Sequence, residues 1–122
     1  MVYCNAGHNP PYLFRGDGNI DELRATGIPL GVFESTAWEV SQVQCSPGSA
    51  LILYTDGVTE SQDQQGNIFG ERGVIHAVQT AVSEPGWSVQ NIQNAILGSV
   101  SKFSRGLPQL DDITLVVMAC KE

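Results

Sequence analysis

Two short acidic segments of this 122-residue chain abut long apolar runs. Leu51-Ile52-Leu53-Tyr54 leads into Thr55-Asp56-Gly57, and Asp111-Asp112 leads into Ile113-Thr114-Leu115-Val116-Val117-Met118. The first pattern reads as a buried strand that delivers a carboxylate to its end. In the second, the acids stand before the strand. If the two strands are adjacent and antiparallel, Asp56 meets Asp111 or Asp112 at one edge of a sheet. Clustered carboxylates are costly unless a cation neutralises them, and hard divalent ions such as Mg²⁺ or Mn²⁺ take a few carboxylates plus water. Each segment alone also reads as an ordinary solvated turn, so both readings stand on spacing alone. A calcium loop over Asp63 to Glu71 fails, because Gly66 and the oxygen-bearing residues are not where such a loop needs them.

Composition bounds the rest. The length suits one domain with a modest core. At 42% hydrophobic and 16% charged residues the chain reads as globular. Its net charge of −7 excludes the electrostatic footprint of a nucleic-acid binder and disfavours anionic membranes. No stretch approaches the roughly 20 apolar residues of a membrane span, and Met1-Val2-Tyr3-Cys4-Asn5 lacks the regions of a signal peptide. Cys4, Cys45 and Cys120 are far apart, odd in number and set in apolar runs, which predicts buried reduced thiols in a cytoplasmic protein.

The elements that must position the acids follow from periodicity. Tyr12-Leu13-Phe14-Arg15 and a strand over Ile20 to Ala25 flank Gly16-Asp17-Gly18-Asn19, a hairpin signal. Trp38 to Cys45 alternates imperfectly and predicts a half-exposed strand. Val74, Ile75, Val78, Ala81 and Val82 fall at helical spacing, predicting a helix over 71–83. Ser88 is the N-cap of a second helix with the stripe Val89, Ile92, Ile96, Val100 and Phe103, stopped by Gly106 and Pro108. Strands, two helices and a last strand predict an α+β fold, a mostly antiparallel sheet with both helices on one face. The two apolar strands want cover on both faces, so a second sheet or a partner is expected on the other.

Five motifs then occur in order: Ala6-Gly7-His8-Asn9-Pro10-Pro11; Gly27-Ile28-Pro29-Leu30-Gly31; Pro47-Gly48 with Leu53-Tyr54-Thr55-Asp56-Gly57-Val58-Thr59-Glu60; Phe69-Gly70; and Asp111-Asp112-Ile113-Thr114. Together they resemble the stage II sporulation E-like branch of the PPM family, the metal-dependent protein serine/threonine phosphatases. The resemblance implies part of an α-β-β-α sandwich with a dinuclear Mn²⁺ or Mg²⁺ centre, at which water attacks phosphoserine or phosphothreonine in line. It implies that Asp56 and Asp111 are metal ligands, that Asp112 stands behind them, and that Thr55 and Gly57 shape the loop. It places His8 where the eukaryotic branch carries an acid, facing the metals; a turn histidine bonded to backbone is the competing reading. Glu60 reads as a cap or turn acid.

The family's earlier Gly-Asp-x-x-Asp motif, whose first Asp bridges both metals, does not occur here. Residues 1–122 are therefore expected to be the C-terminal portion of a phosphatase domain of about twice this length. The implied substrate is a phosphoserine protein, in this branch often of the anti-anti-sigma class. An exposed sheet edge favours a homodimer. The competing function is a catalytically inactive module that binds, regulates and self-associates.

Overall fold

The computed structural model describes residues 1–121, which form two compact units. One comprises Met1–Leu53 with the residues from Met118 onward, the other Tyr54–Val117. The strands are β1 (Val2–Tyr3), β2 (Tyr12–Phe14), β3 (Ile20–Glu22), β4 (Ser41–Gln42), β5 (Ala50–Tyr54) and β6 (Leu115–Ala119). The helices are α1 (Asp56–Thr59), α2 (Gly70–Val82) and α3 (Val89–Ser104). The class is α+β, as expected. No helix among the described residues is long and apolar enough to cross a membrane.

In the first unit β2 lies between β3 and β5, antiparallel to both, with Leu13 opposite Asp21 on one side and Leu51 on the other. The expected hairpin forms because Asp17 accepts from both the backbone and the side-chain amide of Asn19, at 2.9 and 3.0 Å, while Gly18 takes φ +89°. Those bonds hold the Asp17 carboxyl below its usual pKa. The returning strand stops at Glu22, yet Leu23 still turns inward and packs with Leu13 and Leu51. Tyr3, Val43, Cys45 and Leu53 close around that cluster.

The strand expected over Trp38 to Cys45 shrinks to Ser41–Gln42, paired with β1. Trp38 is used differently. Its indole N–H donates to the Ile28 carbonyl at 2.7 Å, and its ring covers Gly27 so closely that a Cβ there would lie 2.4 Å from Cδ1. An aromatic residue that read as a strand position is thus a buttress for the Gly27–Gly31 loop. The cysteine expectation also needs correcting. All three thiols are free, but Cys4 is exposed and Cys45 and Cys120 are only half-buried.

β6 follows β5 in the sheet order β3-β2-β5-β6. Cys120 N–H donates to the Ser49 carbonyl at 2.9 Å, and Thr55 N–H to the Thr114 carbonyl at 3.1 Å. Ascending residues of one strand meet descending residues of the other, so the pair is antiparallel. The last strand starts later than expected, at Leu115, because Thr114 and the residues before it are engaged by the Thr55 turn described below. Its side chains alternate, with Val116 and Met118 exposed.

In the second unit α2 buries Val74, Ala77, Val78 and Ala81, and α3 buries Ile92, Ile96 and Val100. The stripes match the 3.6-residue period. Phe69 and Phe103 meet edge to face at 5.6 Å, and the Phe69 ring lies over Gly73, where a Cβ would come within 2.7 Å. Ser88 and Asn91 form a reciprocal capping box at 3.2 and 2.9 Å. Arg105 in the left-handed region and Gly106 at φ +80° end α3.

Replacing Ser88 by Ala is expected to cost about 1 kcal/mol, the usual worth of such a cap. Urea unfolding followed by far-UV circular dichroism measures it; an unchanged midpoint would show that the box does not hold the start of α3.

Candidate metal centre

The site grows from one threonine. β5 ends at the buried Tyr54, and Thr55 remains extended, with φ −98° and ψ 166°, as the residue preceding α1. Its hydroxyl does not cap that helix. It reaches across to the other acidic segment instead, donating to the Asp112 carbonyl at 3.2 Å and accepting from the Thr114 N–H at 3.0 Å. With the Thr55 N–H bond to Thr114, three hydrogen bonds from one residue join segments almost sixty positions apart.

Gly57 permits the contact. A Cβ at this position would lie 2.2 Å from the Asp112 carbonyl oxygen and 3.1 Å from that of Asp111. Its φ is not positive, so glycine is needed for lack of bulk rather than for backbone freedom. Asp56, the first helical residue, follows from the same turn. Glu60 N–H donates to the Asp56 carbonyl at 2.7 Å, and Ser61 Oγ to the Gly57 carbonyl at 2.8 Å, so the single turn of α1 is tied at both ends. On the facing segment, Asp111 Oδ1 accepts from the Asp112 N–H at 2.7 Å, and its carbonyl accepts from Gln109 Nε2 at 2.7 Å.

Asp56, Asp111 and Asp112 therefore belong to one unit and to two interlocked segments, all three exposed. Their donor chemistry, hard oxygens open to water, suits a hydrated divalent ion. Among the described residues, however, no three acids, histidines or cysteines are grouped as a cation cage. The residues present fit part of a ligand set.

His8 stands in the other unit and is held as a turn residue. Its N–H donates to Asn5 Oδ1 at 2.8 Å, its ring Nδ1 lies 2.7 Å from the Asn9 carbonyl, and its carbonyl accepts from Asn5 Nδ2 at 3.1 Å. Asn5 is itself buried and also bonds the Leu23 carbonyl at 3.2 Å. Glu60 closes α1 as its C-cap residue. Asp63 is spent on a turn, accepting from the side-chain amide of Asn67 and from the Asn67 and Gln65 N–H groups, which lowers its pKa.

Periodicity missed α1, which is only four residues long. Its signal was present as a threonine at the cap position with Asp at the first helical position, but Gly57 argued for a turn. Two cavities also escaped the sequence. One of about 300 Å³ lies against Gly57, Glu60, Ile68 and Asp111. It shares Ser61, Gln62 and Leu110 with a second of about 380 Å³, lined by Leu97, Val100, Leu107 and Ile113. The two cavities are therefore neighbours, the first with Glu60 and Asp111 in its wall and the second with Leu97, Val100, Leu107 and Ile113 among serines and glutamines.

The stage II sporulation protein E (SpoIIE) family profile matches residues 1–121. Protein IcfG of Synechocystis sp. is 28% identical over 118 residues, which is 97% of this chain and 18% of that protein. Phosphoserine phosphatase RsbU of Bacillus subtilis is 28% identical over 124 residues, 99% of this chain and 35% of that one. The PP2C phosphatase domain of SpoIIE from Bacillus subtilis, solved with a fragment of its regulatory domain, superposes with a TM-score of 0.74 at 22% identity, over 98% of this chain and 34% of that structure. A manganese-presoaked structure of that phosphatase domain alone gives 0.64 at 19% identity, over 99% and 55%. The fold is thus that of part of a PP2C phosphatase domain, and the chain spans 18% and 35% of the two relatives' length.

Gly57→Ala is expected to force the interlocked backbones apart and to cost about 1–3 kcal/mol, as overpacking does. Chemical denaturation reads the cost; wild-type stability in that variant would show that the close approach is not obligatory.

Proposed function

The chain belongs to the stage II sporulation protein E family, and we propose on that premise that it is the C-terminal portion of a metal-dependent protein phosphatase domain. The reaction is hydrolysis of phosphoserine or phosphothreonine on a protein substrate. The observation that carries the reading is the Thr55–Gly57 interlock with Asp111–Asp112, because it fixes two carboxylate-bearing segments side by side at the end of the β5–β6 strand pair. Matched phosphatase-domain structures that are longer than this chain agree with a portion of a domain.

Asp56 and Asp111 are assigned as ligands of Mn²⁺ or Mg²⁺. When bound, such ions neutralise phosphoryl oxygens and lower the pKa of water so that it attacks phosphorus directly. The chain's own residues do the positioning. Thr55 fixes the height of Asp56 relative to the facing segment. The Asp112 amide holds one oxygen of Asp111, leaving the other free to ligate, so Asp112 acts through Asp111. His8 is proposed to shape the Gly7–Pro10 turn, which Asn5 braces. The bridging carboxylate of the dinuclear centre is assigned to a Gly-Asp-x-x-Asp motif outside these residues.

The neighbouring cavities beside Asp111 suit the chain flanking a phosphorylated serine. The phosphate would lie on the metal-bearing side and an apolar neighbour against Leu97, Leu107 and Ile113. A phosphoserine protein of the anti-anti-sigma type is the proposed partner, since RsbU carries the name phosphoserine phosphatase. A cytoplasmic location is proposed with it.

A second reading is favoured by a separate observation. Leu30, Val32 and Phe33 are 73%, 56% and 66% exposed, and Val116 and Met118 are exposed on β6. Apolar surface of that kind marks association. On this reading residues 1–122 alone are an inactive module that pairs with a second copy or with the rest of the domain.

In the full-length protein, the double variant Asp56→Ala, Asp111→Ala is expected to lower Mn²⁺-dependent hydrolysis of p-nitrophenyl phosphate by about 100-fold or more. Full activity in that variant sinks the assignment. The isolated 122-residue chain is expected to bind Mn²⁺ weakly in titration calorimetry and to elute as a dimer or larger. Tight uptake of two ions by a monomer contradicts both parts.

A further inference from the structure

Cys45 and Cys120 are separated by most of the chain yet belong to the same unit. Cys45 precedes the turn Ser46-Pro47-Gly48, closed by the Ser49 N–H bond to the Ser46 carbonyl at 3.0 Å with Gly48 at φ +83°. Cys120 lies directly across from that turn. It accepts from the Gly48 N–H at 3.1 Å and donates to the Ser49 carbonyl at 2.9 Å. The turn therefore folds Cys45 back toward the end of β6, on the side where Cys120 pairs with Gly48 and Ser49. Cys45 also packs on the Leu13–Leu23–Leu51 cluster, which fixes its side of the sheet. Both residues are half-buried, within reach of a small oxidant.

We propose that Cys45 and Cys120 are a redox-modification site, closing to an intrachain disulfide on exposure to a peroxide. The balance is simple. The Cys45 thiolate attacks one oxygen of hydrogen peroxide, giving a sulfenic acid and releasing hydroxide, which takes up the proton the thiol lost. The Cys120 sulfur then attacks the Cys45 sulfur. The S–S bond forms, the S–O bond breaks, and the departing oxygen leaves as water with the Cys120 proton. Two thiols and one peroxide become one disulfide and two waters. A dithiol reductant reverses the bridge by exchange.

The two cysteines have unequal parts. Burial and the neighbouring Cys45 thiol push the Cys120 thiol up, which suits the resolving role, entered protonated. Cys4 is an internal control. It is exposed, and its sulfur accepts a bond from Thr26 Oγ1 at 3.4 Å. A lone exposed thiol of that kind oxidises without an intrachain partner. The Cys45–Cys120 bridge closes a loop of about 75 residues, long enough to restrict the unfolded chain strongly. It ties the last strand to the turn that starts β5, without using any residue assigned to phosphate chemistry.

The test uses the native chain. After treatment with hydrogen peroxide, remaining thiols are alkylated in denaturant, and unreduced peptides are mapped by mass spectrometry. The expected product in denaturant is a single covalent chain with one Cys45–Cys120 cross-link and alkylated or singly oxidised Cys4, reverted by dithiothreitol. The oxidised form should melt roughly 5–15 °C higher. Cys4→Ser is expected to keep that shift, and Cys45→Ser to abolish it; if Cys45→Ser does not fold, the wild-type peptide map decides alone. Cys45 and Cys120 recovered separately, as alkylated thiols or as sulfinic and sulfonic acids, overturn the proposal. So does a cross-link that runs through Cys4 or between chains.

Discussion

A threonine hydroxyl that both donates and accepts holds two distant acidic segments in register. Thr55 Oγ1 gives its proton to the Asp112 carbonyl and takes one from the Thr114 amide. Those groups lie just before β6, where ladder bonds have not yet begun. Both bonds are exposed, so without the hydroxyl water would take its place, and each is worth the usual net of about 0.5–1.5 kcal/mol. The Gly57 contact turns that stitching into close packing, because the backbones approach nearer than any side chain permits. Everything assigned to Asp56 and Asp111 depends on this seam. The carboxylates are exposed, and among the described residues no group of three metal-ligating side chains surrounds them, so the seam is what brings their segments together.

Much of the scaffold was legible from the chain alone. Period and punctuation located α2 and α3 to within a residue or two, because each carries one apolar stripe and a readable stop or cap. The hairpin at Asp17–Gly18 was legible for the same local reason. Placing Asp56 and Asp111–Asp112 on neighbouring segments was also within reach, since two apolar strands flanked by acids invite antiparallel pairing. The family motifs then gave those acids their proposed roles.

Other features depended on partners far along the chain. Trp38 alternates like a strand residue, but its indole N–H finds the Ile28 carbonyl, and tertiary contact overrides the period. Cys4 sits in an apolar run yet faces solvent, just past the end of the two-residue strand β1. The nearness of Cys45 and Cys120 likewise has no sequence signal, as it depends on one turn lying beside the last strand. α1 is too short for any periodic pattern. The neighbouring cavities beside Asp111 and Ile113 exist only once α3 and the following loop are placed.

The central claim is that the Asp56 and Asp111 segments together form one face of a divalent-metal site. The most direct measurement is paramagnetic broadening of backbone amide signals in the ¹⁵N-labelled chain titrated with substoichiometric Mn²⁺, which detects even weak binding. The account predicts broadening confined to the amides around Asp56 and around Asp111–Asp112, absent from an Asp56→Asn, Asp111→Asn variant that retains the wild-type fold. Broadening centred on other acids, such as Asp17 or Asp63, with those two segments left sharp, would contradict it.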